Sequence, residues 1–69
     1  MASYFVNNTE SDEGDHEVHK EGCYWLGIAN SKSYLGEFSS CVGAVAKAKT
    51  DHYRNSNGCK HCSAACHTG

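Results

Sequence analysis

His16-Glu17-Val18-His19-Lys20-Glu21-Gly22-Cys23 is the stretch on which the reading of this chain turns. Strict alternation over residues 16–20 fits a strand, with His16, Val18 and Lys20 on one face and Glu17, His19 and Glu21 on the other. Gly22 breaks that strand just before Cys23, so the stretch ends in a His-x3-Cys pair. Its counterpart lies near the far end, where Gly58-Cys59-Lys60-His61-Cys62 offers a Cys-x2-Cys pair. A tight turn can point both sulfurs of such a pair at a tetrahedral ion, with bonds of about 2.3 Å. Glycine at position 58 lets the backbone pass close to that ion. His19, Cys23, Cys59 and Cys62 together make a closed Cys3His set of the kind that holds structural zinc.

The rest of the chain explains why the fold needs a staple beyond its core. Strong core formers number nine: Phe5, Val6, Val18, Leu26, Ile28, Leu35, Phe38, Val42 and Val45. In 69 residues that lies below the roughly 20% under which chains tend to stay disordered. Tyr4, Tyr24, Trp25, Tyr34 and Tyr53 add area, but ordering each residue costs about 1.5 kcal/mol, and so small a core only breaks even. A metal, disulfides or a partner must supply the difference.

Outward from residues 16–20, Ser3-Tyr4-Phe5-Val6-Asn7 and Tyr34-Leu35-Gly36-Glu37-Phe38 read as two further strands. Asn8 to Asp15 reads as a loop; five of the eight acids (Glu10, Asp12, Glu13, Asp15, Glu17) fall in or just after it and form a solvated face. They lack the spacing and closing Glu of a calcium loop. Ser39 or Ser40 caps a helix from Cys41 to Tyr53, whose apolar stripe is Val42, Val45, Ala46, Lys49 and Tyr53. Asn57-Gly58 reads as a turn, and the cysteine-rich tail beyond it needs a cross-link or metal to stay ordered. The expected fold is α+β: a small antiparallel sheet of about three short strands, one helix packed on it, and a C-terminal cysteine-rich knuckle, all within one domain spanning residues 1–69.

The formal net charge of -2, without a basic run, argues against nucleic acid as a partner. No segment has the roughly 20 apolar residues that span a bilayer, and the N-terminus is no secretory signal. Five cysteines without an export signal point to the reducing cytoplasm, where close cysteines are metal ligands or reactive thiols more often than disulfides. Cys41, beside the helix start, reads as a small buried hydrophobe. His16, His52 and His61 are expected to face solvent. Cys66 and His67 compete with His19 for the fourth ligand position. Thiol redox chemistry at Cys59 and Cys62, an iron–sulfur cluster on Cys23, Cys59, Cys62 and Cys66, and a disulfide from Cys23 or Cys41 to a C-terminal cysteine remain alternatives. No catalytic arrangement is visible, so the expected role is a zinc-binding accessory or binding protein, not an enzyme, with an unidentified protein partner.

Tyr4-Phe5-Val6-Asn7, the run Gly14 to Cys23, Tyr34 to Phe38, and Asn57-Gly58-Cys59 with Cys62 and Cys66-His67 resemble a family of short bacterial proteins of uncharacterised role. A more distant resemblance is to the zinc-binding module that opens Ada-type DNA repair proteins. The resemblance falls on His19, Cys23, Cys59 and Cys62 and implies a metal site at those positions. Ada-type modules have cysteine where this chain has His19, and their DNA-binding segments have no counterpart here. The likeness therefore implies the metal-site geometry without methyl-acceptor chemistry.

Overall fold

A computed structural model describes residues 1–68. Strands β1 (Ala2–Asn7), β2 (His16–Lys20), β3 (Lys32–Phe38) and β4 (Ser56–Gly58) form one sheet in the order β3-β1-β2-β4. β1 lies antiparallel to both β2 and β3. A short helix α1 (Tyr24–Gly27) follows β2, a longer helix α2 (Cys41–Asp51) follows β3, and a single 3-10 turn covers Ala64–Cys66. The α+β class and the helix-on-sheet arrangement are as expected. The sheet, however, has four strands and is mixed, because β4 runs parallel to β2.

β4 sits where a turn is expected, at Asn57-Gly58. Ser56, Asn57 and Gly58 carry no strand propensity; pairing and side-chain hydrogen bonds hold them instead. All three are buried, and Asn57 Nδ2 donates to Asp15 Oδ2 at 3.1 Å and to the Thr68 carbonyl at 2.7 Å. Asn57 Oδ1 accepts from the Gly58 and Thr68 amides. Burial works to raise the Asp15 carboxyl, yet hydrogen bonds from Ser11 and Asn57, with His67 and His16 nearby, hold it below its ordinary value.

One sheet face packs on α2. The core there is Tyr4, Val6, Val18, Leu35, Cys41, Ala44 and Ala48. The buried side of α2 is thus Cys41, Ala44 and Ala48, not the expected stripe led by Val42, which is 68% exposed. Small side chains let the helix axis approach the sheet closely. Gly43 shows how closely: a Cβ there would stand 2.8 Å from Phe38 Cδ1. The helix ends at Asp51, two residues short of the expected Tyr53, and Ser40 caps its start by accepting from the Val42 amide at 3.3 Å.

His16, expected at the surface, is buried at 6% exposure. It shares the α2 side of β2 with Val18, and the Tyr53 ring closes over it at 3.6 Å between centroids. Its Nδ1 satisfies the Asn7 carbonyl at 2.9 Å. Among the described residues no buried side-chain nitrogen or oxygen lacks a partner, which removes the usual penalty for burying so many polar groups.

Cys41, read from sequence as a simple apolar filler, is buried but bonded to Cys66 in a disulfide across 25 residues. The bridge fastens the tail to the first residue of α2. Closing a loop of that length removes unfolded-state entropy worth about 3 kcal/mol. The metal-loaded Cys41→Ser/Cys66→Ser double variant is expected to unfold in urea with stability lower by about that amount. Equal midpoints for the oxidised protein and the double variant would show that the bridge does not support the fold.

Candidate metal centre

Parallel pairing of β2 and β4 places the two ligand pairs at the same end of the sheet. In register, Val18 faces Gly58, so His19 and Cys59 are the next residues along two adjacent strands running in one direction. The Cys59 amide donates to the Val18 carbonyl at 3.0 Å and continues the ladder. Pleating then sends Val18 into the core and His19 to the opposite face. His19 and Cys59 are almost fully buried, at 1% exposure each.

Two turns bring the partner ligands back. Lys20-Glu21-Gly22-Cys23 closes with the Cys23 amide donating to the Lys20 carbonyl at 3.1 Å. Gly22 has φ 89°, the left-handed conformation that such a turn requires at its third position. In the knuckle, the Ser63 amide donates to the Cys59 carbonyl at 2.7 Å, which carries Cys62 round toward Cys59. Gly58 proves necessary for a reason other than proximity to an ion. A Cβ there would stand 2.7 Å from Cys66 Cβ and 2.8 Å from the Ser63 carbonyl oxygen. The glycine admits the returning tail.

The four ligand atoms of His19, Cys23, Cys59 and Cys62 lie within 4.8 Å of one another, so the cluster could hold a metal ion. His19 Nδ1 is 3.7 Å from Cys23 Sγ and 3.9 Å from Cys62 Sγ. Zinc bonds of about 2.0 Å to nitrogen and 2.3 Å to sulfur imply N–S edges of about 3.5 Å in a tetrahedron, so the donor set fits with a small contraction. The other histidine nitrogen, Nε2, faces Glu17 Oε1 at 3.6 Å. A carboxylate behind a ligating imidazole fixes its tautomer and its ring orientation.

Electrostatics also call for a cation. Burial pushes the Cys62 thiol up to about 12, against the Lys20 amide, which donates to its sulfur at 3.3 Å. Burial also opposes ionisation of Cys23, but hydrogen bonds from Cys62, the Trp25 and Leu26 amides and Cys59 outweigh it and lower that thiol. Burial lowers His19 and favours the neutral imidazole that a metal requires. A divalent ion held there would stabilise the thiolates together.

The remaining candidates are placed elsewhere. Cys66 is spent in the bridge to Cys41. His67 Nδ1 is 2.9 Å from the Gly58 carbonyl, an interaction that supports the knuckle from outside the cluster. His52 and His61 are exposed as expected, and His61 stacks on Trp25. Glu17 and the α1 amides were not expected to serve the site. The alternation that pairs Glu17 with His19 on one face was the available signal for the first. Among the described residues no helix is long and apolar enough to cross a membrane. The chain matches no protein-family model, no curated protein and no solved structure.

Two outcomes test this geometry. Metal binding must displace the Cys62 proton, and protons compete better as pH falls. Apparent zinc affinity, measured by chelator competition, is therefore expected to weaken at least about tenfold for each pH unit lowered from 8 to 6; a flat profile would exclude thiolate ligation. Gly58→Ala drives a Cβ into Cys66 and the Ser63 carbonyl and should weaken zinc binding by an order of magnitude or more, whereas Gly22→Ala meets no neighbour within 4 Å. The latter should cost only the strain of a positive φ, about 1 kcal/mol. Gly58→Ala with unaltered zinc affinity would show that the tail packing does not support the site.

Proposed function

We propose that this chain is a structural zinc module acting in binding or as an accessory rather than as an enzyme. The observation that carries the reading is the convergence of one imidazole and three thiols, two of the four residues almost fully buried, within 4.8 Å. Zinc is favoured over other ions because a Cys3His set is a tetrahedral, sulfur-rich structural site. Four protein ligands leave no open position for substrate or water, which supports a structural over a catalytic role. An iron–sulfur cluster is disfavoured because Cys66, its required fourth thiolate, is paired with Cys41. The net charge of -2 favours a protein partner over nucleic acid.

Two features of the chain bear on compartment in opposite senses. Free Cys23, Cys59 and Cys62 fit a reducing cytoplasm in which thiols stay available to metal. The Cys41–Cys66 bridge fits an oxidising one. We favour the cytoplasm, because three free thiols gathered at one candidate metal site need a reducing environment to stay available.

Protein purified without added metal is expected to contain near one zinc per chain by elemental analysis. Zinc binding in small structural sites is folding free energy, on the order of 10 kcal/mol. A strong chelator with a reductant should then collapse the far-UV circular dichroism. Unchanged dichroism after verified metal removal, or no bound metal together with rapidly reacting thiols at Cys59 and Cys62, would replace the zinc reading with a thiol-reactive protein.

The ligand set is testable separately. Cobalt-substituted protein should show the absorption of three thiolates, and Cys23→Ser, Cys59→Ser and Cys62→Ser should each abolish tight binding. His67→Ala should leave the cobalt spectrum unchanged, whereas His19→Ala should lose its tetrahedral bands. The reverse pattern for the two histidines would move the fourth ligand to the tail.

A further inference from the structure

Beside the cluster, on the sheet face away from α2, lies a hollow of about 230 Å³ whose walls include Asn7, Thr9, Glu17, His19, Trp25 and Ile28. Its chemistry is asymmetric. Trp25 and Ile28 are 43% and 54% exposed and form an apolar wall. The Trp25 ring is backed by His61, with 5.6 Å between centroids and 27° between planes, and edged by Tyr24. The Glu17 carboxylate, whose side chain is only 29% exposed, lines the same hollow.

Among the described residues the one basic group within 4.0 Å of Glu17 is His19 Nε2, at 3.6 Å. A metal-bound imidazole is neutral, so that contact orients His19 without cancelling the carboxylate charge. Lys60 borders a neighbouring hollow that Glu17 shares with Ser11, Asp12 and Glu13, yet forms no ion pair there. The hollow thus combines a partly desolvated carboxylate with an aromatic side chain.

We propose that this hollow binds the guanidinium of an arginine side chain presented by a partner protein. A planar guanidinium can stack on an indole face and pair through its fork with a carboxylate, while its aliphatic stem lies on an apolar wall such as Ile28. The volume is below the about 300–1,000 Å³ of sites for drug-sized ligands, so it suits one side chain. The proposal rests on the zinc reading because the ion fixes His19, and His19 in turn holds Glu17; it gives that reading a partner chemistry.

Trp25 is the sole tryptophan, so its fluorescence and its indole N–H resonance report on this wall alone. The zinc-loaded full chain, with metal content measured, is titrated with acetyl-Gly-Arg-Gly-amide and with the Lys and Leu counterparts. The arginine peptide should produce a saturable change with a dissociation constant on the order of 1 mM, as expected of a single side chain. The lysine peptide should bind at least about threefold more weakly, and the leucine peptide should not saturate. Glu17→Gln keeps an acceptor for His19 while removing the charge. Because Glu17 backs a ligand of the cluster, its loss should lower zinc affinity, so this variant is loaded with excess zinc to one measured ion per chain. In that form it should bind the arginine peptide at least about tenfold more weakly. Leucine or lysine peptides matching arginine, or Glu17→Gln binding as tightly as the parent, would overturn the proposal. A chain that discriminates arginine but carries no zinc would sink the metal reading alone; full zinc without discrimination would sink this proposal alone.

Discussion

The parallel pairing of three residues, Ser56 to Gly58, with β2 is the constraint on which the rest of the structure depends. A parallel strand cannot be reached by a tight turn, and here α1, β3 and α2 all lie between the two paired strands. The long excursion brings Cys59 beside His19 and aligns both ligand pairs at one edge. Three residues of parallel ladder contribute little by themselves, since such pairs are weaker per residue than antiparallel ones. The edge strand therefore needs fastening on both faces. Cys41–Cys66 fastens it from the α2 side, and the His19, Cys23, Cys59 and Cys62 cluster can fasten it from the other.

The cluster was legible in sequence because metal ligation imposes short, local spacings. A tight turn between two ligands leaves a His-x3-Cys or Cys-x2-Cys trace whatever the surrounding fold. The two antiparallel strands and β3 were legible from aromatic and β-branched residues alternating with polar ones. β4 was not, because Ser56, Asn57 and Gly58 are held by Asn57's side-chain hydrogen bonds and by pairing, neither of which leaves a hydropathy signal. The bridge was hidden for a combinatorial reason: five cysteines admit many pairings, and spacing alone does not rank them. The buried face of α2 was misread because Val42 and Val45 outweigh alanine on any hydropathy count. Close helix–sheet approach selects for small side chains instead, and Ala44 and Ala48 are completely buried. His16 shows the same limit, since only the later closure of Tyr53 over its ring removes it from water.

The two faces of the sheet solve the problem of a small core differently. On the α2 face, Val6 and Val18 are excluded from water by alanines and aromatic rings, a conventional if modest apolar layer. On the opposite face near the cluster Leu26 is a buried aliphatic side chain, with His19 and Cys59 filling the space where a second apolar layer would lie. Polar ligands in that place make the second layer conditional. Burial pushes the Cys62 thiol up, and a divalent cation held there would offset that by stabilising the thiolate.

That conditional layer also determines what can be presented at the surface. α1 is only four residues long, far below the length at which a helix is stable alone. It makes few contacts besides Leu26 and the amides it offers to Cys23. Its exposed side, carrying Tyr24 and Trp25, is thus positioned through Cys23, which an ion held by the cluster would fix in turn. His61 stacks on Trp25 from the knuckle between Cys59 and Cys62, so both walls of the aromatic surface are anchored to ligands of one centre. Order in the cluster and order in the neighbouring hollow are coupled: an ion held by the four residues would also fix Glu17 through His19 and Trp25 through Cys23.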